Sequence, residues 1–256
     1  MLKVIIHGIN GRMGKVLEEV VKKDSELLIT AGIDLNTDHQ DSPYPIYASP
    51  AECKKKADVV IDFSHHTAIP DLLNYCLDTN TPVVISTTAL SDETLSLIES
   101  ASKRIPVFQS ANMSLGISLV LEMLKLCVPT LEDDYNMEII EKHHFNKVDA
   151  PSGTAYLLAD TMNDACRVKK DYVYGRQGTS NKGKETDLGI HAVRGGNLPS
   201  EHTVLFAGDD EVIEIKHAAF SRNVLARGAI KAAKYIATAK PGFYNMSFLL
   251  NEKNSI

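Results

Sequence analysis

The densest run of chemistry-bearing side chains lies between Glu141 and Ala155, where Lys142, His143, His144, Lys147, Pro151, Ser152, Gly153 and Thr154 stand close together. A histidine titrates near neutrality, as an acid or base catalyst should. Pro151 suits a helix start, and Ser152 and Thr154 bring hydroxyls to it. The first N–H groups of that helix, at Gly153 and Thr154, make a site for an anion. Two histidines and a lysine beside such a site suggest a substrate with carboxylate groups. The run also reads as a capped helix preceded by surface polar residues, and spacing alone does not choose between the two.

A second motif opens the chain. Residues 2–6 are a β-branched apolar run, a pattern of buried parallel strands, and it stops at Gly8-Ile9-Asn10-Gly11-Arg12-Met13-Gly14. Met13, Val16, Leu17, Val20 and Val21 then recur at helical spacing, and a second strand over 27–31 leads to Asp34. The glycines permit a tight turn, close approach to a pyrophosphate and close helix–strand packing. The helix start faces the phosphates, and Asp34 is placed to accept hydrogen bonds from the adenosine ribose. A carboxylate there repels a 2′-phosphate, and Leu35, Asn36 and Thr37 bring no cation; only Arg12 lies near. NADH is therefore expected over NADPH, with dual use left open.

The elements that must position these motifs alternate. Strands are expected over 57–63, 82–86 and 106–108, and helices over 69–77 and 92–103, which indicates a doubly wound parallel sheet. Ligands bind at the carboxyl ends of such strands. Three segments there are expected to line the cofactor site: Phe63-Ser64-His65-His66, Ser86-Thr87-Thr88-Ala89 and Ser110-Ala111-Asn112-Met113. Adjacent loop histidines point to different sides, so His65-His66 is not read as a metal site, and no metal is expected. An apolar helix follows over 115–126, ended by Val128-Pro129, then a strand over 136–141. After the helix behind Ser152, residues 169–184 read as a mobile loop. Strands over 188–194, 203–207 and 211–217 follow, with Gly208-Asp209-Asp210 as a hairpin signal, and then a helix over 221–238 that returns to the first domain.

The expected architecture is α/β: a Rossmann-type doubly wound sheet in a discontinuous domain, 1–114 and 223–256, with an α+β domain over 115–222. The latter is built on a mixed, largely antiparallel sheet. Helices on one face leave its other face to pack against copies of itself. The chain has 256 residues, 44% hydrophobic and 23% charged, with a net charge of −6, an ordinary globular composition without a basic footprint for nucleic acid. Cys53, Cys76, Cys127 and Cys166 have neither metal-ligand nor pairing spacing. The opening apolar run is too short for a signal peptide, and no apolar run approaches a membrane span, so a cytoplasmic protein without membrane contact is expected.

With these residues in view, the run from Glu141 to Ala155 resembles the signature E-x-H-H-x-x-K-x-D-x-P-S-G-T-A of the 4-hydroxy-tetrahydrodipicolinate (dihydrodipicolinate) reductase family of bacterial lysine and diaminopimelate synthesis. The resemblance continues in the 8–14 glycine loop, in Ile61-Asp62-Phe63-Ser64, in 110–116, in 191–196, in Glu201-His202-Thr203-Val204 and in 217–228. It implies an NAD(P)H-dependent oxidoreductase. Hydride passes from nicotinamide to a cyclic imine with two carboxylates, and a proton follows at the adjacent carbon. It implies His143 as acid/base and Lys147 as second donor and charge balance. His144 would contact one carboxylate, with Ser152, Gly153 and Thr154 at the other. It implies cofactor contacts from Gly8, Asn10, Gly11, Arg12, Met13, Asp34, Phe63, Ser86, Thr87, Thr88, Ser110, Ala111, Asn112 and Met113, and a homotetramer. Two departures stand out: Ser86-Thr87-Thr88-Ala89 replaces the family's usual G-T-T-G, and Ser200 stands where glycine is often found before Glu-His. His191, His202 and His217 read as structural, and Arg194 and Arg222 are left unassigned. A related amino-acid dehydrogenase lacks the full signature run. A non-enzymatic nicotinamide-binding redox sensor should carry a basic DNA-binding segment, which is not visible.

Overall fold

A computed structural model of the chain describes residues 1–38, 42–179 and 182–251. In order, its elements are β1 (Leu2–His7), α1 (Arg12–Lys22), β2 (Leu27–Ile33), β3 (Ile46–Tyr47), β4 (Val59–Asp62), α2 (Ile69–Thr79), β5 (Val83–Ile85), α3 (Asp92–Ser102), β6 (Pro106–Gln109) and α4 (Leu115–Leu131). Then come β7 (Asn136–His143), α5 (Gly153–Ala165), β8 (Asp171–Tyr174), β9 (Asp187–Arg194), β10 (Ser200–Ala207), β11 (Val212–Ala219), α6 (Asn223–Ile236), β12 (Gly242–Tyr244) and α7 (Met246–Asn251). They form two compact units, one of Met1–Leu115 with the chain from Arg222 on, the other Gly116–Ser221. Residues 180–181 of the expected loop and 252–256 of the expected first domain lie outside the described residues.

The first unit holds a seven-stranded sheet in the order β12-β6-β5-β4-β1-β2-β3, every pairing parallel. Its strands are covered on both faces, which is why they read as unbroken apolar runs rather than alternating ones. Val4 and Ile6 pack with Leu17 and Val21 of α1 and with Ala226, Ala229 and Ala233 of α6. Ile5, Val60 and Ile85 pack on the other face with Ile69, Leu72 and Ile98 of α2 and α3. The small residues of α6 let this late helix lie close over a sheet built by the chain's first half.

The second unit holds a five-stranded sheet, order β11-β10-β7-β9-β8. Here the expectation needs correcting. β10 is antiparallel to β7 and β11, but β9 is parallel to both β7 and β8, so the sheet is evenly mixed rather than largely antiparallel. The cause is α5, which carries the chain across the sheet after β7, and a helical crossover returns the next strands parallel. On β7, Met137, Ile139, Glu141 and His143 are buried on one face, above which Leu124, Val128, Leu158 and Met162 of α4 and α5 complete the core. That alternation puts two ionisable side chains on a core face.

Three further boundaries differ. Val128-Pro129 does not end α4, which runs on to Leu131 with Pro129 inside it. A proline in the last turn forfeits only one helical bond, and buried Val128 holds the turn to the core. β7 reaches His143 rather than stopping at Glu141. Residues 171–174 of the expected loop form the edge strand β8, paired with β9. After β5, Ala89 has φ +56°, the left-handed conformation that glycine adopts without strain. The family's glycine is missing here, but the backbone it permits is kept. Ala89→Gly should therefore raise Tm, by about 2 °C, in thermal unfolding; a lower Tm would show the loop unstrained.

Candidate active site

In the first unit β1 hands over to α1 through Gly8, whose φ is +78°. A Cβ there would stand 2.6 Å from the Phe63 carbonyl oxygen, and one on Gly14 would stand 2.1 Å from that of Gly8. The loop thus lies flat against the end of β4, with the start of α1 beside it. Gly11 caps α1 without a side-chain bond, and its first turn holds no acidic residue. Asp34 ties the loop down: it accepts the Asn10 N–H at 2.9 Å and the Asn36 N–H at 3.0 Å, one on each oxygen.

A second carboxylate organises the neighbouring strand ends. Asp62 is wholly buried and accepts from His7 Nδ1 (2.9 Å), the Ser64 N–H (3.1 Å), the Ser64 hydroxyl (2.6 Å) and the Thr87 hydroxyl (2.7 Å). It joins the ends of β1, β4 and β5, where the expected cofactor loops begin. Next to Thr87, the Ser86 hydroxyl is buried without a partner among the described residues. A buried polar atom left unmatched at a sheet's carboxyl end suits a ligand that supplies the match. The close-packed glycines, the helix without a side-chain cap, Asp34 and this hydroxyl all fit a dinucleotide. Of the other expected contacts, Arg12, Thr88 and Ala111 are exposed, and Phe63, Ser110 and Asn112 are half-buried. The side chains of Met13 and Met113 pack into the core, which leaves mainly their backbone for a cofactor. His65 and His66 stack at 4.1 Å, with His65 Nδ1 engaged by the Thr67 hydroxyl.

In the second unit the centre is Glu141, 0% exposed. Arg194 on β9 grips it with both terminal nitrogens, Nη1 to Oε2 and Nη2 to Oε1, each at 2.7 Å. Oε1 also accepts the Ser152 N–H at 2.9 Å, and Oε2 meets His143 Nδ1 at 2.6 Å. Such a bidentate guanidinium contact is among the strongest ways to keep a buried carboxylate ionised. Burial pushes Glu141 upward, but the bonds from Arg194 and His143 outweigh it and hold its carboxyl below the ordinary range. An ionised Glu141 can only accept, so Nδ1 of neutral His143 carries the hydrogen and Nε2 is the basic nitrogen. Nε2 lies 2.7 Å from the Ser200 hydroxyl. Burial, with lesser help from Lys147 and Arg194, pushes His143 down against the upward pull of Glu141.

Around this pair, Ser152 caps α5 by accepting the Ala155 N–H at 3.1 Å and meets His202 Nε2 at 2.9 Å. The expected ligand hydroxyl of Ser152 is thus already engaged, and the residue is buried, while Pro151 precedes the cap and Gly153 opens the helix. His202 stands edge-on to His143, ring centres 5.2 Å apart. Burial and the neighbouring His143 drive His202 down to about 4. Lys147 Nζ is paired with Asp149 at 2.7 Å, which holds that carboxyl below its usual range, with the Gly153 N–H a lesser cause. His144 and Gly153 are exposed and Thr154 is half-buried. The structure thus brings His143, Lys147, Ser152, Gly153 and Thr154 to the end of β7 and the start of α5. Sequence reading missed Glu141, Arg194, Ser200 and His202 as parts of one cluster, and Asp62 as the tie between strand ends. Glu141 alone carried a signal, two positions before His143 in a strand whose core face alternates.

Comparison with known proteins agrees with this geometry. Residues 2–113 match the family model of the dihydrodipicolinate reductase N-terminus, and residues 116–250 match that of its C-terminus. The chain belongs to the dihydrodipicolinate reductase family. The 4-hydroxy-tetrahydrodipicolinate reductase of Caldanaerobacter subterraneus is 49% identical over 252 residues, 98% of this chain and 99% of that protein. That of Clostridium novyi is 48% identical, over 99% of this chain and all of that one. The reductase fold itself is shared with dipicolinate-bound dihydrodipicolinate reductase from Paenisporosarcina sp., at TM-score 0.81 and 23% identity over 96% of this chain and 97% of that one. The DAP dehydrogenase of C. glutamicum is more distant, at TM-score 0.56 and 10% identity over 96% of this chain and 92% of that one.

The reductase's buried histidines carry a stability consequence. An unfolded chain protonates histidine below about pH 6.5, whereas native His202 resists until about 4. Its contribution is intact above pH 6.5 and is lost as pH falls toward 4, and burial gives His143 and His217 the same sign. Denaturant unfolding should show a loss of about 1.5 kcal/mol from His202 between pH 6.5 and 5, reduced in His202→Gln. A flat profile across that window would contradict the burial.

Proposed function

We propose that this chain reduces 4-hydroxy-tetrahydrodipicolinate to tetrahydrodipicolinate with NAD(P)H, in lysine and diaminopimelate synthesis; the hydroxyl leaves as water, and the unsaturated cyclic imine so formed takes up the hydride and a proton. The observation that carries the reading is the buried Glu141–His143 pair beside the start of α5, in a chain matched to this family over both units. When bound, the reduced nicotinamide supplies the hydride.

This chain's own residues do the rest. Gly8, Asn10, Gly11, Arg12 and Met13 receive the phosphates, and Asp34 the ribose. Phe63, Ser86–Thr88 and Ser110–Met113 flank the nicotinamide end, and the unmatched Ser86 hydroxyl supports that assignment. His143 delivers the proton to the carbon next to the hydride acceptor. Glu141 keeps the ring in one tautomer and stabilises its protonated form, which a dicarboxylate nearby also favours. Lys147 turns from Asp149 toward the charge that develops on the substrate, and His144 takes one carboxylate. Gly153 and Thr154 offer N–H and hydroxyl groups to the other carboxylate, while Ser152 holds the helix start in place. The Paenisporosarcina relative, solved with dipicolinate, supports a ring dicarboxylate as the ligand.

The carboxylate of Asp34 and the lack of a cation over 35–38 favour NADH over NADPH. We further propose a cytoplasmic homotetramer. The mixed-sheet face bearing Ile140, Leu205 and Val193 is opposite the one α4 and α5 cover, and a second copy would bury it.

The test is a coupled assay at 340 nm with enzymatically generated substrate and either coenzyme. Substrate-dependent oxidation is expected, faster per mole with NADH. His143→Ala should lose turnover by about 10²–10³-fold with a smaller change in KM. No oxidation with either coenzyme, or an unchanged His143→Ala, would overturn the reading.

A further inference from the structure

One contact of His143 belongs to this chain rather than to the pattern it resembles. Ser200 stands where that pattern often has glycine, so its side chain is an addition. The register explains why it reaches the histidine. β10 runs antiparallel beside β7 with Glu201 opposite Lys142 and His202 opposite Glu141, so the next position along, Ser200, falls beside His143. Its hydroxyl lies 2.7 Å from Nε2, the nitrogen that Glu141 leaves to carry the transferable proton. A hydroxyl serves either ring state. It donates to the bare Nε2 of neutral histidine and accepts from Nε2–H of the imidazolium, and the second bond, to a charged group, is the stronger.

We propose that Ser200 is a positioning residue for the proton donor: by bonding Nε2 it stabilises the protonated ring and makes His143 a weaker acid. The inference rests on the assignment of His143 as donor. The other groups facing the ring are Glu141 from its own strand, Arg194 from β9, His202 from β10 and Lys147 from the following loop. Glu141 favours the charged ring, Lys147 and Arg194 oppose it, and His202, driven down to about 4, is neutral beside it, so Ser200 is the second favourable partner. The mechanistic consequence is the pH range of turnover. A general acid acts while protonated, so the rate falls as pH rises through its pKa. With Ser200 in place that fall sits at higher pH than the buried ring would otherwise allow.

The test compares wild type, Ser200→Ala and Ser200→Thr. Two readouts are used: the pH profile of kcat, and the NMR titration of the His143 ring in the substrate-free protein. In Ser200→Ala the methyl group fills the place without bonding. The alkaline fall in kcat and the ring titration should both move down by about one pH unit. Ser200→Thr restores a hydroxyl and should keep the wild-type values. A merely structural serine would scale kcat at every pH and leave both midpoints in place. Unmoved midpoints in Ser200→Ala would therefore overturn the proposal. The ring titration needs no turnover, so it decides the role of Ser200 even if the wild type fails to reduce the proposed substrate.

Discussion

The Glu141 carboxylate is wholly buried, and the second unit is arranged so that it stays ionised there. Isolated in a protein interior, such a group would take up a proton. Here it receives the two-pronged grip of Arg194, the Ser152 N–H and the His143 ring. Those partners come from β9, from the cap of α5 and from β7 itself. One charge therefore fixes the register of two parallel strands, the point where α5 begins, and the tautomer of the histidine that the proposed chemistry uses. Each of these would relax if the charge were lost, because a half-paired buried ion is worse than none.

The first unit has its own buried carboxylate at a strand end, Asp62. It ties His7, Ser64 and Thr87, and with them the ends of β1, β4 and β5. In both units a buried carboxylate held by hydrogen bonds lies at a strand end, beside the residues that the proposed function uses. In the first unit those are the glycine loop and the loop after β5. In the second they are His144, Lys147 and the start of α5.

Much of this could be read in the sequence, for identifiable reasons. The glycine loop, the strand after it and Asp34 form a local unit, so their order along the chain is nearly their order in space. The alternation of apolar runs and helices gave β1, β2, β4, β5 and β6 of the first sheet but not its short edge strands β3 and β12. The run from His143 to Thr154 is likewise contiguous. What escaped notice depends on distant pairing. Arg194 lies far along the chain from Glu141 and meets it only because β9 pairs parallel with β7. Ser200 and His202 reach the site through β10 in the opposite sense. The even mixture of the second sheet follows from one crossover helix that hydrophobic periodicity does not orient. β8 is a short edge strand inside a stretch that looks like loop, and α4 passes through Pro129 because core packing outweighs one missing bond. Ala89 shows the converse: a residue unsuited to its backbone gives no local sign of the conformation that its surroundings impose.

An ionised Glu141 sets the protonation of His143. The most direct measurement is the ¹⁵N NMR spectrum of the histidine-labelled, ligand-free protein near pH 7.5, with His143 assigned by comparison with His143→Gln. A neutral ring with hydrogen on Nδ1 and a bare Nε2 is expected. The opposite tautomer, with hydrogen on Nε2 and none on Nδ1, would mean that Glu141 does not accept from the ring and does not set its protonation.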